Sequence, residues 1–358
     1  MREEHEVLLS GLTTMRVGGP ADRLVTAGTT DEVVDAVREV DDADEPLLVV
    51  GGGSNLVISD EGFAGSAIHI ATDGVTVESI DSGQARVRVA AGEVWDHVVA
   101  RAVAEGWSGI EALSGIPGSA GATPIQNVGA YGQEVAQTIV AVRAWDRGEQ
   151  RVRTFANANC QFSYRSSLFK GETRYVVLDV VFQLELSVVS SPVGYEDLAR
   201  ALGVDVGSRV PLEVAREAVL AQRRQRGMVL DAADPDTWSC GSFFTNPIMS
   251  ASSYDALQAR AQAGLGGSET PLHVPRFDTP DGQVKTSAAW LIERAGFPKG
   301  YGLPGPAALS TKHSLAVTNR GSASAADVIA LAREIRAGVQ DVFGVWLVNE
   351  PVLVGVSL

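Results

Sequence analysis

The chain has 358 residues, of which 45% are hydrophobic and 20% are charged, a composition typical of globular proteins. Its formal net charge of −15 argues against a general affinity for nucleic acid or for an anionic membrane surface. Cys160 and Cys240 are the only cysteines, which excludes a disulfide framework and a cysteine-rich metal site, and we expect no metal.

The N-terminal segment, MREEHEVLLSG, is acidic where a signal peptide would be basic. No apolar run approaches the roughly eighteen residues that a membrane span requires. We therefore expect a cytoplasmic protein without membrane insertion, and the length suggests two or three domains.

In the first half of the chain, apolar periodicity predicts helices and strands in alternation. Residues 29–40 predict a helix, in which Thr29 and Glu32 have capping-box spacing. Residues 45–50 predict a buried strand that runs into GGGSN. A strand over 85–93 is followed by a helix that starts near Trp95 and ends at Gly106.

In the second half, residues 139–155 predict a hairpin that turns at Asp146-Arg147-Gly148, and 173–186 predict another strand. Helices are expected over 211–226 and around 328–335, and the chain ends in a strand within VNEPVLVGV. Because strict βαβ alternation is missing, the pattern indicates an α+β fold with a boundary near 210–225.

The GGGSN loop comprises Gly51, Gly52, Gly53, Ser54 and Asn55. Backbone N–H groups in such a loop can approach a phosphate closely. The loop matches neither the dinucleotide-binding fingerprint nor a Walker A loop. A phosphate-binding loop and a tight hairpin turn fit it about equally well.

A second loop region, residues 109–132, contains six glycines and two prolines. A segment with so few side chains gains little by burial, and it suits backbone that lies against a large planar or phosphorylated ligand. The alternative is a surface loop, although long loops without function are uncommon.

Seven segments occur in the order typical of one enzyme family. They are TTMRVGGPA (13–21), VVGGGSN (49–55), SGIPGSAGATPIQNVGAYG (114–132), SYRSS (163–167), GSFFTNP (241–247), SAAWLIERAG (287–296) and NEPVLVG (349–355). From about residue 10 onward the chain resembles the UDP-N-acetylenolpyruvoylglucosamine reductases. That resemblance implies an NADPH-dependent FAD enzyme of peptidoglycan precursor synthesis, which reduces a UDP-sugar enolpyruvyl ether to UDP-N-acetylmuramate.

The resemblance also implies a fold. We expect an FAD-binding fold of the vanillyl-alcohol-oxidase (PCMH) type in two subdomains, 1–72 and 73–215. A separate α+β substrate-binding domain would cover 216–343, and the final strand, within 344–358, would return to the FAD-binding part.

By resemblance, two segments would hold the FAD diphosphate and flavin. One is Gly51 to Asn55, and the other comprises Pro117, Gly118, Ser119, Gly121 and Ala122. SPVGYEDLARALG (191–203) resembles the extra loop of one subtype, whose tyrosine, here Tyr195, would fold over the nucleotide of the substrate. From the residues alone, Tyr195 would be a core aromatic.

By resemblance, three residues would act on the reacting group: Arg165, Ser242 and Glu350. Arg165 would pair with the substrate carboxylate, because a guanidinium binds a carboxylate with two parallel hydrogen bonds, and Tyr164 would lie beside the substrate. Glu350 would help to position or supply a proton. Without the resemblance, Arg165 would form a surface salt bridge and Glu350 would be an exposed acid. The family usually has an acidic residue where Ser166 stands.

The nucleotide end would involve Arg226 and Asn246. The family commonly has lysine at the position of Arg226, which would contact the substrate diphosphate; the alternative for QRRQRGM (222–228) is a solvated helix end. His313 would lie near the nucleotide but is as consistent with a surface residue, and we expect no redox role for Cys240.

Ser242, in GSFFTNP, raises a separate question because no histidine lies within twenty residues of it. A nucleophilic serine needs a base within hydrogen-bond reach. By resemblance, Ser242 would donate a proton to the substrate. The alternative is a serine that caps a turn.

Two other functions fit parts of the sequence. One is an FAD-dependent oxidoreductase of the same fold that acts on a different small molecule. The other is a nucleotide-sugar binding protein without catalysis, which we would expect to have lost Arg165, Ser242 or Glu350.

Overall fold

The computed structural model describes residues 1–265 and 272–358. The α-helices of these ranges are α1 (Thr30–Asp42), α2 (Trp95–Ala104), α3 (Glu196–Leu202), α4 (Leu212–Gln225), α5 (Ala251–Leu265), α6 (Ala288–Arg294) and α7 (Ala325–Phe343). The predicted helices at 29–40, after Trp95, at 211–226 and around 328–335 are confirmed as α1, α2, α4 and α7.

The strands of the same ranges vary in length from two residues to twelve. They are β1 (Arg2–Leu8), β2 (Pro20–Ala27), β3 (Leu47–Val50), β4 (Leu56–Ile58), β5 (Phe63–Ile70), β6 (Val75–Asp81), β7 (Gln84–Ala90), β8 (Trp107–Ser108), β9 (Gly129–Ala130), β10 (Gln133–Glu134), β11 (Ile139–Asp146), β12 (Arg151–Ala156), β13 (Tyr175–Leu186), β14 (Ile248–Met249), β15 (Phe277–Asp278), β16 (Val284–Lys285), β17 (Ala307–Leu309), β18 (Val317–Asn319) and β19 (Val352–Val354).

The chain forms two compact units. The first unit consists of Met1–Leu12, Pro20–Gly53 and Gly62–Leu230, and the second of Thr13–Gly19, Ser54–Glu61 and Asp231–Leu358. The boundary expected near 210–225 therefore lies later, between Leu230 and Asp231. Helix α4 stays with the first unit because its buried Val219 packs in one apolar cluster with Val193 and Leu198.

The end of the chain also differs from the expectation for 344–358. Strand β19 pairs in parallel with β4, with Val352 opposite Leu56 and Val354 opposite Ile58. Both strands belong to the second unit. The last strand thus pairs with an early part of the sequence, but that part, Ser54–Glu61, belongs to the second unit and not to the first.

The first unit contains a sheet with the strand order β1-β2-β5-β3. Strands β2, β5 and β3 are parallel, and β1 is antiparallel to β2. Helix α1 buries Val33, Val37 and Val40. Thr29 caps α1, because its side chain accepts a hydrogen bond from the Glu32 backbone N–H (3.2 Å), which is one half of the predicted capping box. The Glu32 carboxylate accepts from the Gly28 N–H (2.8 Å).

The second sheet of this unit has the order β12-β11-β13-β7-β6, and β8 also pairs with β13. All of its pairings are antiparallel. Trp95 of α2 packs against Phe182 of β13, with ring centroids 5.6 Å apart. One hydrophobic core contains residues of both sheets, which fixes the loops at their strand ends relative to each other.

The second unit has a core of its own, built mainly from α5, α6 and α7. Its small sheets are β14-β16-β15, β17-β18 and the parallel pair β4-β19. Because β3 and β4 lie in different sheets, the GGGSN segment between them is not a hairpin turn. The strand predicted before this segment is confirmed as β3, and the hairpin alternative is excluded.

The hairpin of β11 and β12 is closed by a buried carboxylate. Asp146 accepts hydrogen bonds from the backbone N–H groups of Gly148 (3.1 Å) and Glu149 (3.2 Å). It also accepts from Arg174 Nε (2.7 Å) and Arg153 Nη1 (2.9 Å). The hydrogen bonds from Arg174, above all, hold the pKa of Asp146 well below its usual range.

We expect Asp146→Asn to lower the free energy of unfolding at pH 7 by about 1–3 kcal/mol, because charge-assisted hydrogen bonds are lost. The wild-type advantage is fully present above about pH 4, the ordinary carboxyl pKa. It should shrink below that pH, because a depressed folded-state pKa makes the unfolded chain take up the proton first. Thermal unfolding followed by circular dichroism measures the stability difference between wild type and Asp146→Asn at pH 7 and at pH 3. Equal stability of the two proteins at pH 7, or the same stability difference at pH 3 as at pH 7, would contradict this role for Asp146.

Candidate functional site

The two glycine-rich loops predicted to bind a cofactor meet in the first unit. A Cβ atom on Gly52 would lie 2.7 Å from Gly118 Cα, and one on Gly51 would collide with the Ser119 hydroxyl. Gly53 has φ +57°, which a residue with a side chain rarely adopts. At Gly52 and Gly118 the loops therefore touch through backbone, and Gly51 and Gly52 leave no room for a side chain between them.

Backbone hydrogen bonds fix the second loop. The Gly118 carbonyl accepts from the Trp95 N–H (3.0 Å), and the Ala120 and Gly121 N–H groups donate to Glu93 (2.8 Å) and Ala91 (2.8 Å). A Cβ atom on Gly121 would lie 2.5 Å from Ala91 Cβ. The N–H groups of Ala120, Gly121 and Ala122 thus donate within the protein, so a diphosphate would bind to other backbone N–H groups of the two loops. The loops fit FAD because their glycines let a ligand approach the backbone closely.

The GGGSN segment passes from the first unit to the second after Gly53. In the second unit, Asn55 Nδ2 donates to the Glu350 carbonyl (3.3 Å), and the Val352 N–H donates to the Asn55 carbonyl (2.9 Å). The parallel pairing of β4 with β19 thus brings Asn55 beside Glu350, which lies 295 residues later.

Ser242 is held next to Glu350 in the second unit. The Phe243 N–H donates to the Leu315 carbonyl (2.7 Å), and the Glu350 N–H donates to the Phe243 carbonyl (2.9 Å). Gly241 has φ +73°, so a turn precedes the serine.

The two phenylalanines after Ser242 belong to the core of the second unit. Phe243 is 0% exposed and Phe244 is 1% exposed, and their ring centroids are 5.3 Å apart. Their burial anchors the backbone at Ser242, whose side chain is only half-buried. The segment therefore presents a hydroxyl from a rigid base.

Arg165 lies in the first unit, and its side chain contacts the end of the 109–132 loop. Its Nη2 donates to the Gly129 carbonyl (2.8 Å), and its guanidinium carbon lies 5.3 Å from the Tyr164 ring centroid. Its backbone has φ +52°, and its carbonyl accepts a hydrogen bond from Lys170 Nζ (2.8 Å). These contacts hold the guanidinium against the glycine-rich loop, and the Tyr164 ring lies beside the guanidinium.

Tyr195 is 47% exposed, so the core-aromatic alternative is wrong. Its ring meets Tyr131 edge-on, with centroids 5.9 Å apart. The segment expected as a loop over 191–203 forms helix α3 immediately after Tyr195, because Glu196 and Asp197 suit a first turn and Gly203 ends the helix with φ +67°.

Two residues predicted to bind the nucleotide have defined neighbours. Arg226 Nη2 donates to Asp197 Oδ2 (3.2 Å) of α3, so the end of α4 is paired rather than only solvated. Asn246 Oδ1 accepts from the Ala288 N–H (3.0 Å) at the start of α6, which fixes the orientation of the side-chain amide.

Cys240 has the properties of a structural cysteine. Its Sγ donates to the Leu56 carbonyl (3.2 Å), and burial raises its pKa to about 12. Across the described ranges, no cluster of three potential metal-ligating residues occurs, and no helix has the length and apolar character needed to cross a membrane.

Sequence reasoning missed a buried carboxylate at Glu111, which binds backbone N–H groups of two separate segments. It is 2% exposed. A single acid inside a glycine-rich stretch was the available signal, but neither its burial nor its partners follow from periodicity.

Two family descriptions match the chain. Residues 21–154 match the FAD binding domain, and residues 234–354 match the C-terminal domain of UDP-N-acetylenolpyruvoylglucosamine reductase. A relative of that name from Thermobifida fusca is 57% identical over 352 residues, with 98% of each chain covered. The chain belongs to the UDP-N-acetylenolpyruvoylglucosamine reductase family.

Other relatives of this reductase family agree. One from Streptomyces avermitilis is 57% identical and covers 100% of this chain and 96% of its own. The crystal structure of the reductase from Thermus caldophilus matches with a TM-score of 0.65 at 25% identity and covers 99% of each chain. The predicted fold is confirmed, and the protein is an FAD-dependent oxidoreductase.

We expect Gly52→Ala to reduce bound flavin at least about tenfold, because a Cβ atom must push the two loops apart where backbone contact forms the cradle. The ratio of absorbance near 450 nm to that at 280 nm in purified protein measures the flavin content. Gly28→Ala is the matched control, since a Cβ atom there meets only the Glu32 carboxylate, 3.7 Å away. Equal flavin content in folded Gly52→Ala and wild type would refute this role for the contact.

Proposed function

We propose that the protein is a cytoplasmic, NADPH-dependent flavoenzyme that reduces the enolpyruvyl group of UDP-N-acetylglucosamine enolpyruvate to give UDP-N-acetylmuramate for peptidoglycan synthesis. The observation that supports this best is in the second unit, where the Glu350 N–H binds the Phe243 carbonyl and so lies beside Ser242. Relatives that carry the reductase name at 57% identity support the choice of substrate.

When bound, FAD would supply the hydride that adds to C3 of the enolpyruvyl group. Negative charge then develops at C2, next to a carboxylate that is already negative. A guanidinium close to that carboxylate lowers the free energy of this charged state. In the proposal, Arg165 provides this charge, with Tyr164 beside it.

The proton for C2 would come from Ser242 Oγ. A serine hydroxyl is a weak acid, so its position and its access to a second proton donor matter more than its intrinsic acidity. The buried Phe243 and Phe244 hold the Ser242 backbone rigidly. Glu350, fixed to the same segment through its backbone, would orient and reload the hydroxyl.

The nucleotide would bind through Tyr195, Arg226 and Asn246. Tyr195 offers an exposed ring that can stack on or cover the nucleotide, and Arg226 offers a cation for the diphosphate. Arginine in place of the family's usual lysine keeps the charge and adds a planar pair of donors. Asn246 would contribute its Nδ2 group.

The direct test mixes purified protein with NADPH and the enolpyruvyl sugar nucleotide, and follows absorbance at 340 nm. The proposal requires NADPH consumption that depends on the sugar nucleotide and yields UDP-N-acetylmuramate. A yellow protein that oxidises NADPH without any effect of this substrate would instead support an oxidoreductase of the same fold with a different substrate.

We expect Ser242→Ala to leave flavin reduction by NADPH nearly unchanged and to slow reoxidation by the enolpyruvyl substrate by about 10²-fold or more, the scale of a positioned acid. Stopped-flow absorbance measures the two half-reactions separately. Ser322→Ala, an exposed serine of the same unit, serves as the control and should change neither step. Reoxidation within a few-fold of wild type would show that another group delivers the proton.

A further inference from the structure

Glu111 is a buried carboxylate shared by three chain segments of the first unit. Its Oε2 accepts from the Gly109 N–H (2.7 Å), at the start of the glycine-rich loop. Its Oε1 accepts from Gln133 Nε2 (3.0 Å), just past the end of that loop, and from the Ser191 N–H (2.6 Å). Ser191 begins the segment that carries Tyr195.

Gln133 completes the arrangement. Its Oε1 accepts from the Ala112 N–H (2.7 Å), so it binds Glu111 with its amide nitrogen and the next backbone group with its oxygen. A buried carboxylate must have its acceptor capacity satisfied, and hydrogen bonds to a charged group are the stronger kind. Gly109, at one end of the 109–132 loop, and Gln133, just past its other end, therefore both donate hydrogen bonds to the Glu111 carboxylate.

Packing links the same residues to the tyrosine segment. Ala112 lies in one apolar cluster with Val193, Leu198 and Val219, and Tyr131 packs against that cluster. A Cβ atom on Gly194 would lie 3.9 Å from Gly132 Cα. The position of Tyr195 is thus set by the ends of the loop whose middle, Gly118 to Gly121, forms the predicted cofactor cradle.

We propose that Glu111 is a positioning residue that fixes Tyr195 relative to the glycine-rich loop, so that it governs binding of the sugar nucleotide without touching the reacting atoms. The inference rests on the proposed function, in which Tyr195 contacts the nucleotide. Glu111→Gln is the informative change, because it removes the negative charge that strengthens the hydrogen bond from the Ser191 N–H. Its NH₂ group must also face either the Gly109 N–H or the donors of Ser191 and Gln133.

The first unit offers a matched control. Asp146 is also a buried carboxylate that accepts hydrogen bonds from backbone N–H groups and from side chains, but its partners lie in the β11–β12 hairpin and at Arg174. Asp146→Asn therefore reports the consequences of losing a buried charge in this unit. It leaves the contacts between Glu111 and Ser191 in place.

The experiment compares steady-state kinetics, flavin reduction by NADPH and amide hydrogen exchange in wild type, Glu111→Gln and Asp146→Asn. We expect Glu111→Gln to raise the KM for the sugar nucleotide about tenfold, the size for one lost hydrogen bond to a charged group, with flavin reduction within about twofold. Exchange in peptides covering 191–195 should be faster. Asp146→Asn should lower thermal stability but change neither this KM nor this exchange.

Tyr195→Ala tests the route of the effect. If Glu111 acts through Tyr195, Glu111→Gln should change the KM little in the Tyr195→Ala background, which is non-additive behaviour for two coupled sites. Additive effects would overturn the inference. An unchanged KM in Glu111→Gln at full flavin content, or an equal rise in Asp146→Asn, would overturn it as well.

A second variant and the hydrogen-exchange measurement test the role of Glu111 even if Glu111→Gln does not fold or the proposed function is wrong. If Glu111→Gln does not fold, Gln133→Met, which keeps the carboxylate and removes its side-chain donor, carries the same predictions with a smaller rise in KM. If wild type shows no reaction with the sugar nucleotide, the proposed function fails, and hydrogen exchange decides about Glu111. Faster exchange at 191–195 in Glu111→Gln but not in Asp146→Asn supports the anchoring, and equal exchange refutes it.

Discussion

The close approach of two backbone segments, Gly51 to Gly53 and Gly118 to Ser119, is the constraint on which the first unit depends. A side chain on Gly52 has no room, because it would meet the Gly118 backbone. Gly51 to Gly53 follow β3 of the first sheet. Gly118 accepts a backbone hydrogen bond from Trp95, the first residue of α2, which follows β7 of the second sheet. The common core of both sheets holds these positions, and the contact turns two flexible glycine segments into a rigid surface suited to a phosphorylated cofactor.

In the second unit, backbone hydrogen bonds hold the segments that carry Ser242 and Glu350. Backbone hydrogen bonds from Phe243 to Leu315 and from Glu350 to Phe243 join three distant parts of the sequence. Asn55 adds a fourth part through its bond to the Glu350 carbonyl. Because Phe243 and Phe244 are buried, the backbone between Ser242 and its neighbour Glu350 is held in a fixed framework. Such a framework suits the acid–base roles proposed for these two residues.

Much of the fold could be predicted from sequence where a local pattern decides the structure. The helix after Thr29 and the hairpin at Asp146 follow from capping and turn residues, and both are found. Long-range pairing has no local signal, so the partnership of β4 with β19 and the consequent place of residues 54–61 in the second unit could not be predicted.

The candidate site divides in the same way. The glycine loops and the family motifs drew attention to Gly52, Gly118 and Ser242 because residue type and order suffice for recognition. Burial does not follow from them, which is why Glu111 was missed and why Tyr195, a core residue by its sequence, proves exposed. The identity of the neighbours of a side chain depends on tertiary packing, and only the structure supplies it.

Release of the cofactor by acid tests the central claim, that backbone surfaces rather than a covalent bond hold FAD, most directly. Purified protein is precipitated with acid, and the flavin in the supernatant and in the pellet is quantified against the protein. We predict about one FAD per chain, all of it in the supernatant, because neither glycine-rich segment (51–55 or 109–132) contains a cysteine or histidine to which a flavin could be linked. Flavin that stays with the pellet, or protein that purifies without flavin and takes up none when FAD is added, would contradict it.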